Sequence, residues 1–331
     1  MAHALLAHQD IGKSFAGVYY VESVFVKKTK QNKDYTDLTL RDKSGSRVVK
    51  FWGVISPLQK GDFIQIKASV EDYMGVASTI AQDAQRVDPP SDLADYIPIY
   101  GDSSRYAAVF DTLQGVLNEV EKKTGDNTAS LLVKEVLGNG TVFQKFTLAP
   151  GSARPHYGRQ GGLLANTSRV AEQCWELSDL YNLSDTERVI LLASSLLFRI
   201  GAIEAFEFKD CMPVETKRGV LLGIVNLTIG RVTSALRRVV SGLETAGKKT
   251  DMEIVTRILH SLVSYSGTMV KPMTKEAIIL ASVYRTDMDM VDATEFIEND
   301  TNLTAEFTAF DTTLRRRYYT GCRQPQQQKI S

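Results

Sequence analysis

The chain has 331 residues, 43% of them apolar and 24% charged, with 39 basic and 39 acidic side chains. That length exceeds one ordinary domain, and the apolar share suffices for packed cores, which excludes a disordered chain. Zero net charge names no partner, so the local distribution of charge has to be read instead.

From Lys13 to Asp72, eleven Lys and Arg stand against seven Asp and Glu; from Asp83 to Glu119, two stand against seven; and from Leu314 onward there are five basic residues and no acid. These sign changes mark modules and place positive charge at both ends. The three cysteines, Cys174, Cys211 and Cys322, are far apart and form no CxxC, which suits a reducing compartment and excludes a thiolate zinc site. The opening MAHALLAHQD lacks a basic n-region and a long apolar core, and the longest apolar runs are broken by Ser, Arg or Gly before membrane-spanning length. A cytoplasmic chain without membrane contact is expected.

After a short segment, residues 1–10, the stretch 11–88 reads as strands. GVYYVESVFVKK is rich in β-branched and aromatic residues. DYTDLTLRD alternates, with Thr36, Leu38 and Leu40 on one face. RVVKFWG, GDFIQIKASVEDYMG and STIAQDAQRVD complete five strands separated by turn signals, the pattern of a small Greek-key barrel of the OB type. Basic and aromatic residues interleave there. Lys27, Lys28, Lys30, Lys33, Arg47, Lys50 and Lys67 can track phosphates, and Tyr35, Phe51, Trp52 and Tyr73 can stack bases.

Residues 89–100 hold three of the nine prolines and read as an acidic, extended linker. From 101 to 312 the pattern is helical. Asp102 or Ser103 can cap the first helix, which stops at Gly125, and Asp251 and Thr274 can start two later ones. ERVILLASSLLFRI is apolar almost all round, the mark of a buried helix. In KRGVLLGIVNLTIGRVTSALRRVVSGL, Gly219, Gly223 and Gly230 read as close-packing points. The fold class expected is therefore multidomain α and β, with an N-terminal five-stranded OB-type barrel followed by an all-α domain. Residues 313–331 read as a basic flexible tail, in which Arg315, Arg316 and Arg317 precede two tyrosines and can grip phosphates.

The order of blocks DYTDLTLRDKSG, VKFWG, VLGNGTVFQKFTLAPGSARPHYGRQGGLLANTSRVA, LLASSLLFRIGAIEAFE, KRGVLLGIV, VSYSGTMVKPMTKEAIILA and DMDMVDA resembles the YhaM type of 3′–5′ exoribonuclease over nearly the whole chain. The resemblance implies an OB domain followed by an HD metal-phosphohydrolase domain, whose His and Asp side chains hold divalent metals that activate water. Here those positions carry other residues. The first histidine falls on Asn166, the HD dipeptide on Phe198 and Arg199, a third histidine on Ile224, and a histidine pair on Tyr265 and Ser266; only a final acid remains, at Asp289. Arg199 is expected to replace the metal's charge and to pair with Asp289. His3, His8, His156 and His260 match no ligand position, and Asp287, Asp289 and Asp292 do not share one helix face.

The expectation is a non-catalytic relative of an OB-plus-HD exonuclease, with no metal and no cofactor. Its expected partner is single-stranded nucleic acid, DNA first and RNA second. A second copy of the chain and replication or RNA-processing proteins are further candidate partners. An active metal-dependent 3′–5′ exonuclease with a rebuilt site, and a protein-interaction scaffold, are the alternatives.

Overall fold

The computed structural model describes residues 4–6, 9–29, 31–73, 76–138, 140–154, 156–300, 306–312 and 314–321. The chain divides into two compact units. One comprises residues 1–99, 210–212 and 300–331 as far as they are described; the other comprises 100–209 and 213–299.

Five strands make the first unit: β1 (Ser14–Lys28), β2 (Asp34–Asp42), β3 (Gly45–Phe51), β4 (Phe63–Tyr73) and β5 (Val76–Val87). They close into a barrel in the order β1-β2-β3-β5-β4, with β3 and β5 parallel and the other pairs antiparallel. This is the five-stranded Greek-key barrel of the OB type. Leu38, Leu40, Val49, Ile64, Ile66 and Val70 fill it, each buried. The alternation in β2 is obeyed, with Thr36, Leu38 and Leu40 inside.

Two segments expected outside the barrel pack into it. Leu6 is fully buried in the barrel core, and its N–H donates to the buried Asp42 carboxylate at 2.7 Å. The Tyr19 hydroxyl donates to the Ala4 carbonyl at 2.6 Å. Residues 4–6 therefore belong to the barrel because they satisfy two of its polar groups and add an apolar side chain. The proline-rich stretch includes a single 3₁₀ turn, Ala94–Tyr96, whose Tyr96 ring lies edge-on to Phe63 at 5.0 Å beside Tyr20 and Cys211. An aromatic anchor thus fixes what the prolines suggested was only a spacer.

The helical unit contains α1 (Ser103–Thr124), α2 (Thr128–Leu137), α3 (Gly140–Leu148), α4 (Gly162–Leu180), α5 (Asp185–Leu197), the short α6 (Ala202–Ala205), α7 (Lys217–Thr245), α8 (Met252–Ser264) and α9 (Lys275–Asn299). Helix α5 is the core element. Every residue from Val189 to Leu197 is buried, and α1, α2, α4, α8 and α9 all pack on it. A capping box starts it, with the Ser184 and Glu187 side chains each bonded to the other's backbone N–H. Asp102, Thr216 and Asp251 cap α1, α7 and α8, and Gly125 ends α1 at φ 74°.

Three features depart from an all-α reading of this region. A two-stranded hairpin, β6 (Phe206–Lys209) and β7 (Met212–Glu215), follows α6, turning through Asp210 and Cys211 at φ 48° and 64°. Helix α7 breaks at Gly223, where φ is 72° and ψ 159°. Gly219 is the close-packing glycine expected there, since a Cβ on it would lie 2.3 Å from the Ala205 carbonyl oxygen; at Gly223 no atom stands within 4 Å. By length and composition α7 could cross a membrane, contrary to the reading of broken apolar runs, but Leu227, Val232, Leu236, Val239 and Leu243 are buried within its own unit. The last helix ends at Asn299, short of the expected limit at 312. The expected tail begins inside a small hairpin closed by the bridges Phe307–Tyr319 and Asp311–Arg316. Residues 322–331, with Cys322, lie outside the described residues.

Candidate nucleic-acid interface

Strand β1 holds the feature that decides which side chains face outward. Val21 pairs with Leu40 and Ser23 with Thr39, so Glu22 is an extra residue in a β-bulge. Before it the odd-numbered residues Tyr19 and Val21 point into the barrel; after it the odd-numbered Ser23, Phe25 and Lys27 point out. Directly paired antiparallel residues share a face. Phe25 lies opposite Asp37, which lies opposite Lys50, while Lys27 lies opposite Tyr35.

One outer surface of β1, β2 and β3 therefore carries Phe25 (60% exposed), Tyr35, Lys27 and Lys50, with Trp52 (58% exposed) just past the end of β3. The Tyr35 and Trp52 rings sit 5.6 Å apart, tilted 48°. Aromatic faces open to solvent beside amines are what base stacking and phosphate contact require. Lys27 is not a bare charge: its amine donates to Asp37 at 2.6 Å, and that bond raises its pKa. Farther along the same face Glu22 accepts from Arg41 and Ser46, so this end is neutralised.

The other sequence-assigned residues are distributed as follows. Lys28 and Lys33 are exposed at the β1–β2 connection, where Lys30 lies outside the described residues. Phe51 lies opposite the inward Thr36 and packs against the barrel core, because it is one residue out of phase with Lys50 and Trp52. Arg47 lies opposite Leu40, also inward; it donates to Thr79 at 3.3 Å, and burial lowers its pKa. Neither belongs to the stacking face. Lys67 is exposed on β4 opposite Asp83, and Tyr73 is exposed at the β4–β5 tip opposite Val76. Since β5 runs parallel to β3 with Thr79 beside Val49, that tip lies toward the Ser46 end of β3, away from Trp52. Arg315, Arg316 and Arg317 are exposed around the turn of the C-terminal hairpin, near the Phe307–Tyr319 ring pair at 5.2 Å. Phe25 escaped the sequence reading because the bulge hides its phase.

In the helical unit the matched ligand positions fall into two adjoining clusters. Phe198 is fully buried, with the Tyr265 ring edge-on at 5.1 Å and the Tyr284 ring at 5.6 Å; Ile224 packs partly buried against the same core. Arg199, buried, donates to the Tyr284 hydroxyl at 2.8 Å and to the Gly151 carbonyl. Ser266 is half-buried and bonds only locally, to Thr268 at 2.8 Å.

The second cluster is centred on Asp287. Its buried carboxylate accepts from the Tyr157 hydroxyl at 2.7 Å, the Asn166 amide at 2.9 Å and Arg169 Nε at 2.9 Å. Burial and the neighbouring carboxylate push the Tyr157 hydroxyl pKa up. Asp289 is exposed and does not meet Arg199, contrary to the expected pair. The reason is helical phase: Leu280, Val283, Asp287 and Val291 form the buried stripe of α9, and Asp289 lies off it. His156 contacts Asp292 at 2.5 Å, and His260 accepts from the Met273 N–H at 3.0 Å. His3 and His8 lie outside the described residues.

No family model matches the chain, and no curated protein matches it. Among solved structures, it is similar to the second OB-fold domain of replication protein A from Methanococcus maripaludis, at 13% identity over 27% of this chain and 99% of that one, with a TM-score of 0.23. The barrel's assignment rests on its own strand order.

Proposed function

We propose that this chain binds single-stranded nucleic acid through the outer face of β1, β2 and β3, DNA in preference to RNA, without catalysing its cleavage. The observation that carries the reading is the exposed trio Phe25, Tyr35 and Trp52 on one face with Lys27 and Lys50. Three solvent-facing rings stabilise nothing inside the barrel, while each base stacked on one contributes about 1–3 kcal/mol. Lysines supply the sequence-independent, salt-sensitive part.

The helical unit is read as an HD-type body whose metal positions have been refilled. Two things support this: Phe198, Arg199 and Tyr265 come together at matched positions, and Asn166 meets an acid of α9. Aromatic rings and a buried guanidinium occupy the space around them. Among the described residues no three His, Cys, Asp or Glu side chains converge.

Anisotropy titrations of labelled single-stranded DNA, single-stranded RNA and duplex at low salt test the binding; no affinity for either single strand would sink it. Incubation with Mn²⁺ and an end-labelled strand tests the non-catalytic part. The strand is expected to stay full length, and shortening that Asp287→Ala abolishes would reverse the reading.

A second reading, self-association through the helical unit, is favoured by Val220, Leu221 and Leu222, exposed in succession in the first turns of α7. Sedimentation should then show an oligomer that Leu221→Asp dissociates.

A further inference from the structure

The helical unit has a cavity of about 280 Å³ between α1 and α4, lined by Arg105, Tyr106, Val109, Arg169, Glu172 and Gln173. It is separate from the matched metal positions and from the barrel. Its distinguishing feature is Arg169. The guanidinium gives Nε to Asp287, whose carboxylate is fully buried and is held by two further donors, while the side chain remains 36% exposed. One edge of the fork is thereby fixed and the other is left toward the cavity. A cation held in place before its ligand arrives loses little side-chain freedom on binding.

The second cation, Arg105, comes from the first turn of α1, and Tyr106 adds a half-buried ring as a flat wall. Gln173 donates its amide to the Arg169 carbonyl at 3.2 Å, which holds it at the rim. Glu172 is the one acid of the lining, and Asp102, which caps α1, stands close to Arg105. Two guanidiniums against one lining carboxylate leave the cavity positive. The volume, near the lower end of the range for ligand sites of roughly 300–1,000 Å³, suits a small anionic head with a short flat attachment.

We infer that this cavity binds a phosphate monoester, supplied either by a free nucleoside monophosphate or by the phosphorylated end of a strand. A monoester carries about −1.5 to −2 charges at neutral pH and accepts from several donors at once, so two arginines on different helices favour it over a carboxylate. The end-of-strand source rests on the single-strand reading above; the free-nucleotide source does not.

Isothermal titration of the full chain with AMP, adenosine and inorganic phosphate tests the site, alongside anisotropy with oligonucleotides ending in 5′-phosphate, 3′-phosphate or hydroxyl. AMP binding without adenosine binding identifies the free nucleotide; tighter binding of one phosphorylated end identifies the strand. In either case Arg105→Gln, on an exposed side chain, should weaken the phosphate-dependent affinity about tenfold to a hundredfold, and Gln173→Glu should weaken it too. Adenosine binding equal to AMP, no preference for either phosphorylated end together with no AMP binding, or indifference to both substitutions overturns the proposal. Strand binding that ignores end phosphorylation, with AMP not bound, leaves the barrel reading intact; AMP binding without strand binding does the reverse.

Discussion

Removing the Asp287 carboxylate should damage the helical unit more than any other acid on α9. In Asp287→Ala the Tyr157 hydroxyl and the Asn166 amide, both buried, lose their acceptor, and Arg169 loses its counter-ion. Breaking one side of a buried ion pair costs about 3–5 kcal/mol. Arg169 is 36% exposed and can recover some hydration, which puts the expectation at about 3 kcal/mol. For a unit of this size, that corresponds to a fall in melting temperature of roughly 6–12 °C. Urea unfolding followed by Trp175 in a Trp52→Phe background reads the helical unit directly, because Trp175 lies on α4 with Asn166 and Arg169. The control is Asp289→Ala, which should stay within about 0.5 kcal/mol of the parent. Equal losses for the two substitutions, or a larger loss for Asp289→Ala, would refute the assignment of Asp287 as the buried acid.

Arg257 meets the fully buried Glu276 through two bonds, of 2.8 and 2.9 Å, so a double-mutant cycle with Arg257→Ala and Glu276→Gln should return a coupling of about 1–3 kcal/mol; additivity would contradict the pairing. Glu121 caps the start of α2 by accepting from the N–H groups of Ala129 and Ser130, yet burial raises its pKa. An acid whose folded pKa is raised contributes stability that is present below its unfolded value and is lost as pH rises through the folded value. Glu121→Gln should therefore gain on the parent between about pH 4 and about pH 7 in urea titrations, and a constant difference would contradict this. Phe25→Ala should weaken strand binding by about 1–3 kcal/mol with little loss of stability, whereas Phe51→Ala, packed on the barrel core, should lower the barrel's unfolding midpoint.

What could be read from the sequence follows physical rules of short range. The five strands, the caps at Asp102 and Asp251 and the buried character of α5 rest on local chemistry, and each lies where local chemistry puts it. The orientation of Phe25 was hidden because one extra residue, Glu22, inverts the inward and outward phase halfway along β1. The hairpin between Phe206 and Glu215 was hidden because its turn uses Asp210 and Cys211 at positive φ, with no glycine to announce it. Asp287 was legible in principle from its place on the Leu280–Val291 stripe, but attention to motif order led to Asp289. The partners of Arg199 were not legible at all: a tyrosine 85 positions away and the Gly151 carbonyl become neighbours only through the packing of α4, α5 and α9.

The central claim is that single strands stack on the barrel face containing Trp52. Tryptophan fluorescence of the full chain, titrated with a short single-stranded DNA at increasing salt, tests it most directly, since Trp52 and Trp175 are the two tryptophans. The strand should quench the emission, with an affinity that falls linearly on a logarithmic salt axis by about 0.7 per phosphate neutralised. Duplex should bind more weakly, and Trp52→Phe should abolish most of the quench while anisotropy still detects binding. No quenching at low salt, or a quench that survives intact in Trp52→Phe, would contradict the account.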